Sequence, residues 1–216
     1  MGKQIYQGAI FDLDGVLVDT AKYHFLAWQA LAEELEIPFS EHDNERLKGV
    51  SRMASLEILL SLGNNPTYSA SEKEAFAALK NERYVAYISE MDASEILTGV
   101  KPTLENLREQ GIRIALGSAS KNAPLILERT GLLRYFDELV DGNDVAKAKP
   151  DPEVFLRGAE KMGLPPETCV VFEDSEAGCS AAKAAGMYAV GIGKAANLPS
   201  ADEHLASLEA FSWKEI

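Results

Sequence analysis

A short apolar run near the start of the chain stops abruptly at two aspartates and is then broken by a glycine. Residues 8–11 read GAIF and residues 12–15 read DLDG, which places Asp12 and Asp14 two positions apart. An apolar run of this length predicts a buried strand. In open parallel sheets, ligands bind at the carboxyl ends of the strands. This stretch therefore predicts an α/β sheet with a polar site at its edge.

Asp12 and Asp14 need a positive partner if they lie as close together as their spacing suggests. Two unit charges ~4 Å apart repel by roughly 4 kcal/mol at an effective dielectric constant of ~20. A hard dication with oxygen ligands is the natural partner. The alternative is that both are ordinary turn residues, since aspartate and glycine are frequent after strands.

The composition is that of an ordinary globular protein with a strong acidic excess. The 216 residues are 46% hydrophobic and 25% charged, which suits one large domain or two modest ones. The net charge of −13 argues against nucleic acid and against an anionic membrane as partners, because both are bound by clustered lysine and arginine.

The two cysteines, Cys169 and Cys179, match no spacing of a zinc or redox motif. We interpret them as buried thiols of a protein in a reducing compartment. The sequence begins without a basic and apolar leader, and it contains no apolar run of about 18 residues. These features together predict a cytoplasmic protein.

The periodicity of apolar residues divides the chain into a helical part and an alternating part. Residues 18–95 show helical spacing and no convincing strand, which predicts an all-helical insert. Its first helix is expected to continue to Leu35 and to be stopped by Pro38, and Ser69 or Ser71, followed by acidic residues, is expected to cap a later helix. From residue 96 strands and helices alternate, which indicates βαβ units with helices on both faces of a parallel sheet. The predicted strands cover residues 112–116, 138–140, 169–172 and 188–192, and the predicted helices cover residues 101–110, 122–130, 151–162 and 176–185. The predicted fold is α/β, a doubly wound parallel sheet from residues 1–17 and 96–216 with an inserted all-helical cap domain over 18–95.

Each predicted core strand ends in a different polar set, and these ends lie along one edge of a doubly wound sheet. Ser118 follows the second strand at the start of a helix, where backbone N–H groups favour an anion. Lys149 precedes a later helix, and Glu173 with Asp174 ends the fourth strand. Taken singly, Ser118 could be a helix cap and Lys149 a surface residue. Together they predict a site for a phosphate group and Mg²⁺.

The predicted magnesium ligands are all oxygen atoms, since Mg²⁺ prefers octahedral oxygen coordination. They are the carboxylates of Asp12 and Asp174, the backbone carbonyl of Asp14, and Glu173. A dication held by this set would offset the negative charge that the acidic residues bring to the sheet edge.

The strand-end residues resemble the haloacid dehalogenase superfamily of phosphotransferases, and the resemblance covers nearly the whole chain. It rests on DLDG at residues 12–15, Ser118, Lys149 with Pro150, and Glu173 with Asp174. The resemblance implies that Asp12 attacks phosphorus and forms an aspartyl phosphate, while Asp14 transfers the proton as general acid and base. True dehalogenases of the superfamily lack the second aspartate, so Asp14 argues against cleavage of a carbon–halogen bond.

A closer resemblance lies in the helical insert, which is similar to that of the β-phosphoglucomutase family. It rests on residues 20–28, residues 47–52 with Ser55, Lys80 with Asn81, and residues 118–122. This resemblance implies interconversion of β-D-glucose 1-phosphate and glucose 6-phosphate through β-glucose 1,6-bisphosphate, with small sugar phosphates as partners. The alternatives are a sugar-phosphate phosphatase of the same superfamily and a catalytically silent binding protein on the same scaffold.

The resemblance also implies the roles of individual residues. The implied catalytic residues are Asp12, Asp14, Thr20, His24, Ser118 and Lys149. The implied substrate-binding residues are Trp28, Leu47, Lys48, Gly49, Val50, Ser51, Arg52, Ser55, Lys80, Ser118, Ala119, Ser120, Lys121 and Asn122. Arg52, Lys121 and Asn122 would hold the phosphate that is not transferred, a role that suits the planar fork of arginine. Residues 48–51 and Lys80 would meet the sugar hydroxyls, and His24 would help to hold Asp14 out of line until the cap closes.

The sequence departs from these families at the two joints of the insert. Leu17 and Val18 stand where relatives commonly have Ile-Thr, and Thr98 stands where proline is common before Gly99. We expect these changes to affect the rate of cap closure rather than the chemistry. The insert is expected to act as a lid that excludes water, and the protein is expected to be a monomer.

Overall fold

The chain folds into two compact units. The computed structural model describes residues 6–47, 51–64 and 67–213. Unit 1 consists of Met1–Asp19 and Met91–Ile216, and unit 2 consists of Thr20–Glu90. Unit 2 is thus inserted into unit 1, after its first strand.

The two segments that connect the units pair with each other. The N–H of Asp19 donates to the carbonyl of Glu95, and the N–H of Leu97 donates to the carbonyl of Leu17, both at 3.0 Å. The predicted boundaries followed residues 17 and 95, whereas the units change after residues 19 and 90. The structure thus assigns both paired segments to unit 1.

Unit 1 is built on a six-stranded sheet. The strands are β1 (Gly8–Phe11), β2 (Arg113–Gly117), β3 (Glu138–Val140), β4 (Cys169–Glu173), β5 (Tyr188–Ile192) and β6 (Glu203–Leu205). Their order is β3-β2-β1-β4-β5-β6, and every neighbouring pair is parallel. The chain therefore winds outward from β1 in one direction and from β4 in the other, which confirms the predicted doubly wound fold.

Eight α-helices lie in the described part of the chain. They are α1 (Ala21–Glu34), α2 (Glu41–Asn44), α3 (Arg52–Ser61), α4 (Ala70–Ser89), α5 (Val100–Glu109), α6 (Ala123–Thr130), α7 (Glu153–Met162) and α8 (Glu176–Ala184). The first four form unit 2, so the prediction of an all-helical insert is confirmed. None of the helices in the described ranges is long and apolar enough to cross a bilayer.

The sheet register explains why polar residues gather at one edge. Phe11 pairs with Leu116 on β2 and with Phe172 on β4, and the Phe11 and Phe172 rings stack with centroids 4.4 Å apart. The residues that follow, Asp12 and Glu173, therefore leave the sheet side by side. The N–H of Asp12 still donates to the carbonyl of Phe172 at 3.0 Å.

Two details of the fold differ from the sequence prediction. The strand β6 was not predicted, because its three residues include two polar ones and form no apolar run. The first helix was predicted to continue to Leu35 and to be stopped by Pro38, but it ends at Glu34. The chain reverses already at Glu36, whose φ of 54° lies in the left-handed region.

Unit 2 has a hydrophobic core of its own. The core residues are Trp28, Leu31, Ala32, Ile37, Leu47, Leu56, Leu59 and Ala77. Its longest helix, α4, begins with a capping box in which Ser69 Oγ accepts the N–H of Glu72 and the Glu72 carboxylate accepts the N–H of Ser69. The sequence had left Ser69 and Ser71 as alternatives for this cap.

Candidate active site

A buried ion-paired cluster occupies the carboxyl end of the central strands of unit 1. Lys149 Nζ lies 2.6 Å from Asp12 Oδ1 and 2.8 Å from Glu173 Oε2. The Lys149, Asp12 and Glu173 side chains are only 9%, 9% and 1% exposed. Burial would lower the pKa of Lys149, but the two carboxylates outweigh it and raise the pKa above its ordinary value. Lys149 is therefore a charged, buried lysine and not a surface residue.

The cluster carries more negative charge than one lysine can balance. Burial raises the pKa of Asp12 well above its usual range, and the nearby charges of Glu173, Asp14 and Asp174 add to that effect. Burial, followed by the charges of Glu173 and Asp14, raises the pKa of Asp174 to about 7. Such mutual repulsion among carboxylates is what a bound dication relieves.

The carboxylates of Asp12, Glu173 and Asp174 fit a divalent metal ion. Each of the three offers an oxygen, and these oxygens lie within 4.8 Å of one another. Hard oxygen donors of this kind match Mg²⁺. The part of Asp14 as a backbone-carbonyl ligand stays a prediction, although its charge acts on both Asp12 and Asp174.

Glu173 also has protein partners at both of its oxygens. Its Oε2 accepts from Lys149, and its Oε1 accepts from the Ser175 hydroxyl at 2.5 Å and from the Ser175 N–H at 3.2 Å. Sequence reasoning missed Ser175. A signal was present, because a serine directly before a helix is a common N-cap, and Ser175 Oγ does accept the Gly178 N–H.

The glycine of the DLDG motif allows the close approach of Asp174. Gly15 has a φ of 78°, which side-chain-bearing residues rarely adopt, and its N–H donates to the carbonyl of Val18 at 2.9 Å. A Cβ at this position would overlap the Asp174 carboxylate. The motif glycine is therefore needed both for the turn and for packing at the site.

Ser118 is buried at the end of β2, but it does not cap the following helix. The helix α6 begins only at Ala123, so the prediction that Ser118 stands at a helix start is wrong: a short loop separates Ser118 from the helix. Ser118 Oγ accepts the Ser120 N–H at 3.1 Å, and Ser120 Oγ accepts the Asn122 N–H at 3.3 Å. The Ser118 hydroxyl hydrogen is therefore left to donate to another group.

The other predicted residues of this loop are less buried than Ser118. Ala119 and Lys121 are exposed, and Ser120 and Asn122 are partly buried. The loop packs against the segment after β3, where Asn143 Nδ2 donates to the Lys121 carbonyl at 3.3 Å. The loop is thus held in place while its lysine stays accessible.

Unit 2 contains a separate cluster around Lys80. Lys80 Nζ lies 2.9 Å from His24 Nδ1, 4.8 Å from the ring centroid of Trp28 and 4.7 Å from that of Tyr84. Burial, with the charges of Lys80 and Arg52, lowers the pKa of His24 to about 3. A charged lysine has only hydrogens to donate, so we assign a neutral His24 that accepts at Nδ1 and carries its proton on Nε2.

Arg52 begins helix α3 and is held by a neighbouring helix. One Arg52 guanidinium N–H donates to Asn81 Oδ1 at 2.7 Å, and burial lowers the pKa of the guanidinium below its ordinary value. Ser51 Oγ caps α3 by accepting the Ala54 N–H. Arg52 is thereby oriented, while its other N–H groups can still meet an anion.

The remaining predicted residues of unit 2 have structural contacts or lie outside the described residues. Ser55 Oγ donates to the Leu47 carbonyl at 3.3 Å, which ties α3 to the preceding turn. Thr20 is buried before α1, and its carbonyl accepts the His24 N–H at 3.1 Å. Lys48, Gly49 and Val50 lie outside the described residues. Sequence reasoning missed Tyr84, which stacks on His24 and stands one helical turn after Lys80.

Replacing Gly178 should disturb Glu173 more than a matched glycine substitution disturbs the core. A Cβ at Gly178 would overlap the Glu173 carboxyl group, so we expect Gly178→Ala to lower stability by about 1–3 kcal/mol. In Gly158→Ala the atom nearest to the new Cβ would be the flexible end of Ile10, at 3.2 Å, and alanine has a higher helix propensity than glycine. Denaturant unfolding of both variants checks the difference, and equal stabilities would contradict this description of the site.

The chain matches known proteins over most of its length. The family model described as haloacid dehalogenase-like hydrolase matches residues 6–186. A β-phosphoglucomutase of Bacillus subtilis (strain 168) is 45% identical over 197 residues, which cover 91% of this chain and 87% of that protein. A phosphorylated carbohydrates phosphatase of Thermotoga maritima is 35% identical over 191 residues, which cover 84% of this chain and 82% of that protein. The crystal structure of a β-phosphoglucomutase from Clostridium difficile has a TM-score of 0.90 at 38% identity, covering 98% of this chain and 95% of that one.

Proposed function

The chain belongs to the haloacid dehalogenase-like hydrolase family, and we propose that it catalyses the β-phosphoglucomutase reaction. In this reaction β-D-glucose 1-phosphate and glucose 6-phosphate interconvert through β-glucose 1,6-bisphosphate. One observation carries the phosphoryl-transfer chemistry: Asp12 stands at the end of β1 with Lys149 Nζ 2.6 Å from its carboxylate, inside an acidic cluster. The similarity to the B. subtilis enzyme over 91% of the chain supports the sugar specificity.

Asp12 is the proposed nucleophile. Its carboxylate oxygen forms a bond to phosphorus while the bond from phosphorus to the sugar oxygen breaks, which gives an aspartyl phosphate and a free sugar hydroxyl. Asp14 donates the proton to the leaving oxygen and takes it back from the attacking hydroxyl in the second half-reaction. Because Lys149 is charged and contacts Asp12 directly, it keeps the carboxylate oriented and offsets charge on the phosphoryl group.

Asp12 and Asp174 are the proposed ligands of Mg²⁺, together with the carbonyl of Asp14 and, through its carboxylate, Glu173. When bound, this ion would neutralise negative charge at the phosphoryl oxygens. The Ser118 hydroxyl would donate a hydrogen bond to the same phosphoryl group. This use of Ser118 agrees with its Oγ accepting from the Ser120 N–H, which leaves its hydrogen available.

The residues of unit 2 are proposed to recognise the sugar phosphate. Arg52 would bind the phosphate that is not transferred, with Lys121 and Asn122 of unit 1. Lys80, Trp28 and residues 48–51 would contact the sugar, and His24 with Thr20 would help to set the position of Asp14. The roles of unit 2 as a lid and of the changes at Val18 and Thr98 remain predictions.

Arg52→Ala should raise the KM for glucose phosphates by about 10- to 100-fold, because a charge-assisted contact to phosphate is worth roughly 1.5–3 kcal/mol. Phosphorylation of the enzyme by acetyl phosphate should change little, since that donor has no second phosphate for Arg52 to hold. Steady-state kinetics with both donors measure the two effects. Lys73→Ala, which removes only an exposed ion pair to Glu57 in the same unit, serves as control. Equal losses with both donors would count against the assignment.

A sugar-phosphate phosphatase is the second candidate function. In that case water replaces the sugar hydroxyl in the second half-reaction, and the catalytic residues of unit 1 keep the same roles. The 35% identity to the T. maritima phosphatase favours this alternative, whereas the higher identity to the B. subtilis mutase favours the first. The residues of unit 1 alone do not separate the two.

One assay distinguishes the two functions. Purified protein is incubated with Mg²⁺, β-glucose 1-phosphate and a trace of β-glucose 1,6-bisphosphate, and glucose 6-phosphate and free phosphate are measured together. We expect glucose 6-phosphate to form with little phosphate release. Phosphate as the main product would support the phosphatase instead.

We also propose that the protein acts as a monomer in a reducing cytoplasm. Cys169 and Cys179 are both free and buried, and burial raises the pKa of the thiols to about 11 and about 12. Thiols of this kind suit a reducing compartment and take no part in the chemistry.

A further inference from the structure

The loop that carries Lys149 needs support from outside itself. It covers residues 141–152, between the end of β3 and the start of α7. Residues 146–148, directly before Lys149, are exposed, whereas the lysine side chain is only 9% exposed. A flexible backbone here would spread the ammonium group over several positions. The contacts of Lys149 Nζ with Asp12 and Glu173, at 2.6 and 2.8 Å, require a single fixed position of the ammonium group.

Glu153, the first residue of α7, holds this exposed backbone. Its Oε2 accepts the N–H of Ala146 at 3.1 Å and the N–H of Lys147 at 3.0 Å. Its Oε1 accepts from Arg157, one turn further along α7, at 3.0 and 2.9 Å. The backbone hydrogen bonds from Lys147 and Ala146 hold the pKa of Glu153 below its ordinary value. The side chain is thus an ionised acceptor that joins loop and helix.

The helix α7, which carries Glu153, is fixed by packing in the hydrophobic core of unit 1. Its buried residues Val154, Phe155 and Ala159 belong to the hydrophobic core of unit 1. Lys149 Nζ also lies 4.8 Å from the ring centroid of Phe155. Asp151 Oδ1 accepts the N–H of Glu153 at 3.1 Å and so fixes the first turn. The same helix therefore positions both the loop backbone and the lysine side chain.

From this geometry we propose that Glu153 is a positioning residue for phosphoryl transfer. Its carboxylate fixes the backbone two and three residues before Lys149 and thereby sets where the ammonium group meets Asp12. Glu153 acts only through Lys149, since its own oxygens are taken up by the loop and by Arg157. The proposal rests on the role of Lys149 in the proposed function above.

The first test compares three single variants. Glu153→Ala should lower kcat by about 10- to 100-fold with little change in KM, because a displacement of ~1 Å at a reacting group costs that much. Glu153→Gln keeps one acceptor oxygen for the two N–H groups and should stay within about threefold of the wild-type kcat. Lys147→Met keeps the backbone N–H that Glu153 accepts and should be unchanged. A wild-type kcat for Glu153→Ala, or an equal loss in Glu153→Gln, would overturn the proposal.

The second test is a double-mutant cycle with Lys149→Met, read out as the rate at which acetyl phosphate phosphorylates the enzyme. If Glu153 acts through Lys149, adding Glu153→Ala to Lys149→Met should cause no further loss. The same fractional loss in both backgrounds would show an independent or merely structural effect and would overturn the proposal. Acetyl phosphate tests the core alone, whether the sugar reaction is that of a mutase or of a phosphatase.

The cycle also separates two kinds of failure. A slow Lys149→Met enzyme with a fast Glu153→Ala enzyme would overturn the positioning role and leave the proposed function intact. A fast Lys149→Met enzyme would overturn the role of the lysine in the proposed function, and the inference about Glu153 with it.

Discussion

Asp12→Asn is expected to lower kcat by about 10⁴-fold or more while the protein keeps its fold. The amide cannot form the acyl phosphate, and loss of a catalytic nucleophile has effects of this size in other covalent enzymes. Lys149 keeps its partner Glu173 at 2.8 Å in this variant, so the cluster does not lose its only ion pair. One of the mutually repelling carboxylates is removed, so we expect stability to be retained or to rise slightly.

Kinetics and thermal unfolding of Asp12→Asn check both parts of this expectation. Glu128→Gln removes one carboxylate charge from an exposed position of α6 and should behave like the wild type in both measurements. Turnover of Asp12→Asn near the wild-type rate would refute Asp12 as the nucleophile. An inactive and unfolded variant would refute the claim that the charge of Asp12 is dispensable for the fold.

Lys149→Met is expected to have the second largest effect. It leaves Asp12 and Glu173, with side chains 9% and 1% exposed, without the cation that lies between them. Breaking a buried ion pair by removing one partner typically costs about 3–5 kcal/mol. The same change removes the ammonium charge that would stabilise the phosphoryl group during transfer, so kcat should fall by about 10²- to 10³-fold.

Lys147→Met is a matched control on the same loop. Its side chain is 71% exposed and forms only an ion pair of 3.3 Å with Asp151, so its removal should change stability by less than about 1 kcal/mol. Denaturant unfolding and steady-state kinetics of the two variants measure the difference. Similar stabilities and kcat values for the two variants would contradict the role of Lys149 as the buried cation of the site.

Most of the core fold could be predicted because local pattern and tertiary structure agree there. The strand Tyr188–Ile192, in which four of the five residues are buried, was predicted with the bounds that the structure has. Buried parallel strands are continuous apolar runs, which are visible in a sequence. The strand Glu203–Leu205 lies at the edge of the sheet and is only partly buried, so no such run marks it.

The core of the candidate site could be predicted because the parallel sheet brings the residues at the ends of its strands close together. Asp12 and Glu173 end adjacent strands, and a parallel register places such ends side by side. The partners that hold these residues could not be predicted in the same way. Glu153 acts through backbone N–H groups of Ala146 and Lys147, and backbone contacts leave no pattern in side-chain identity. The Ser118 turn was missed for the same reason, because its hydroxyl accepts a backbone N–H.

Mapping the phosphoryl group on the enzyme tests the central claim most directly. Protein with Mg²⁺ is treated with acetyl phosphate, digested, and examined by mass spectrometry for the peptide that contains Asp12. We predict one added phosphoryl group on Asp12, which disappears when β-glucose 1-phosphate is added and β-glucose 1,6-bisphosphate forms. A phosphoryl group on Ser118, or turnover with no phosphorylated protein at any time, would contradict the account.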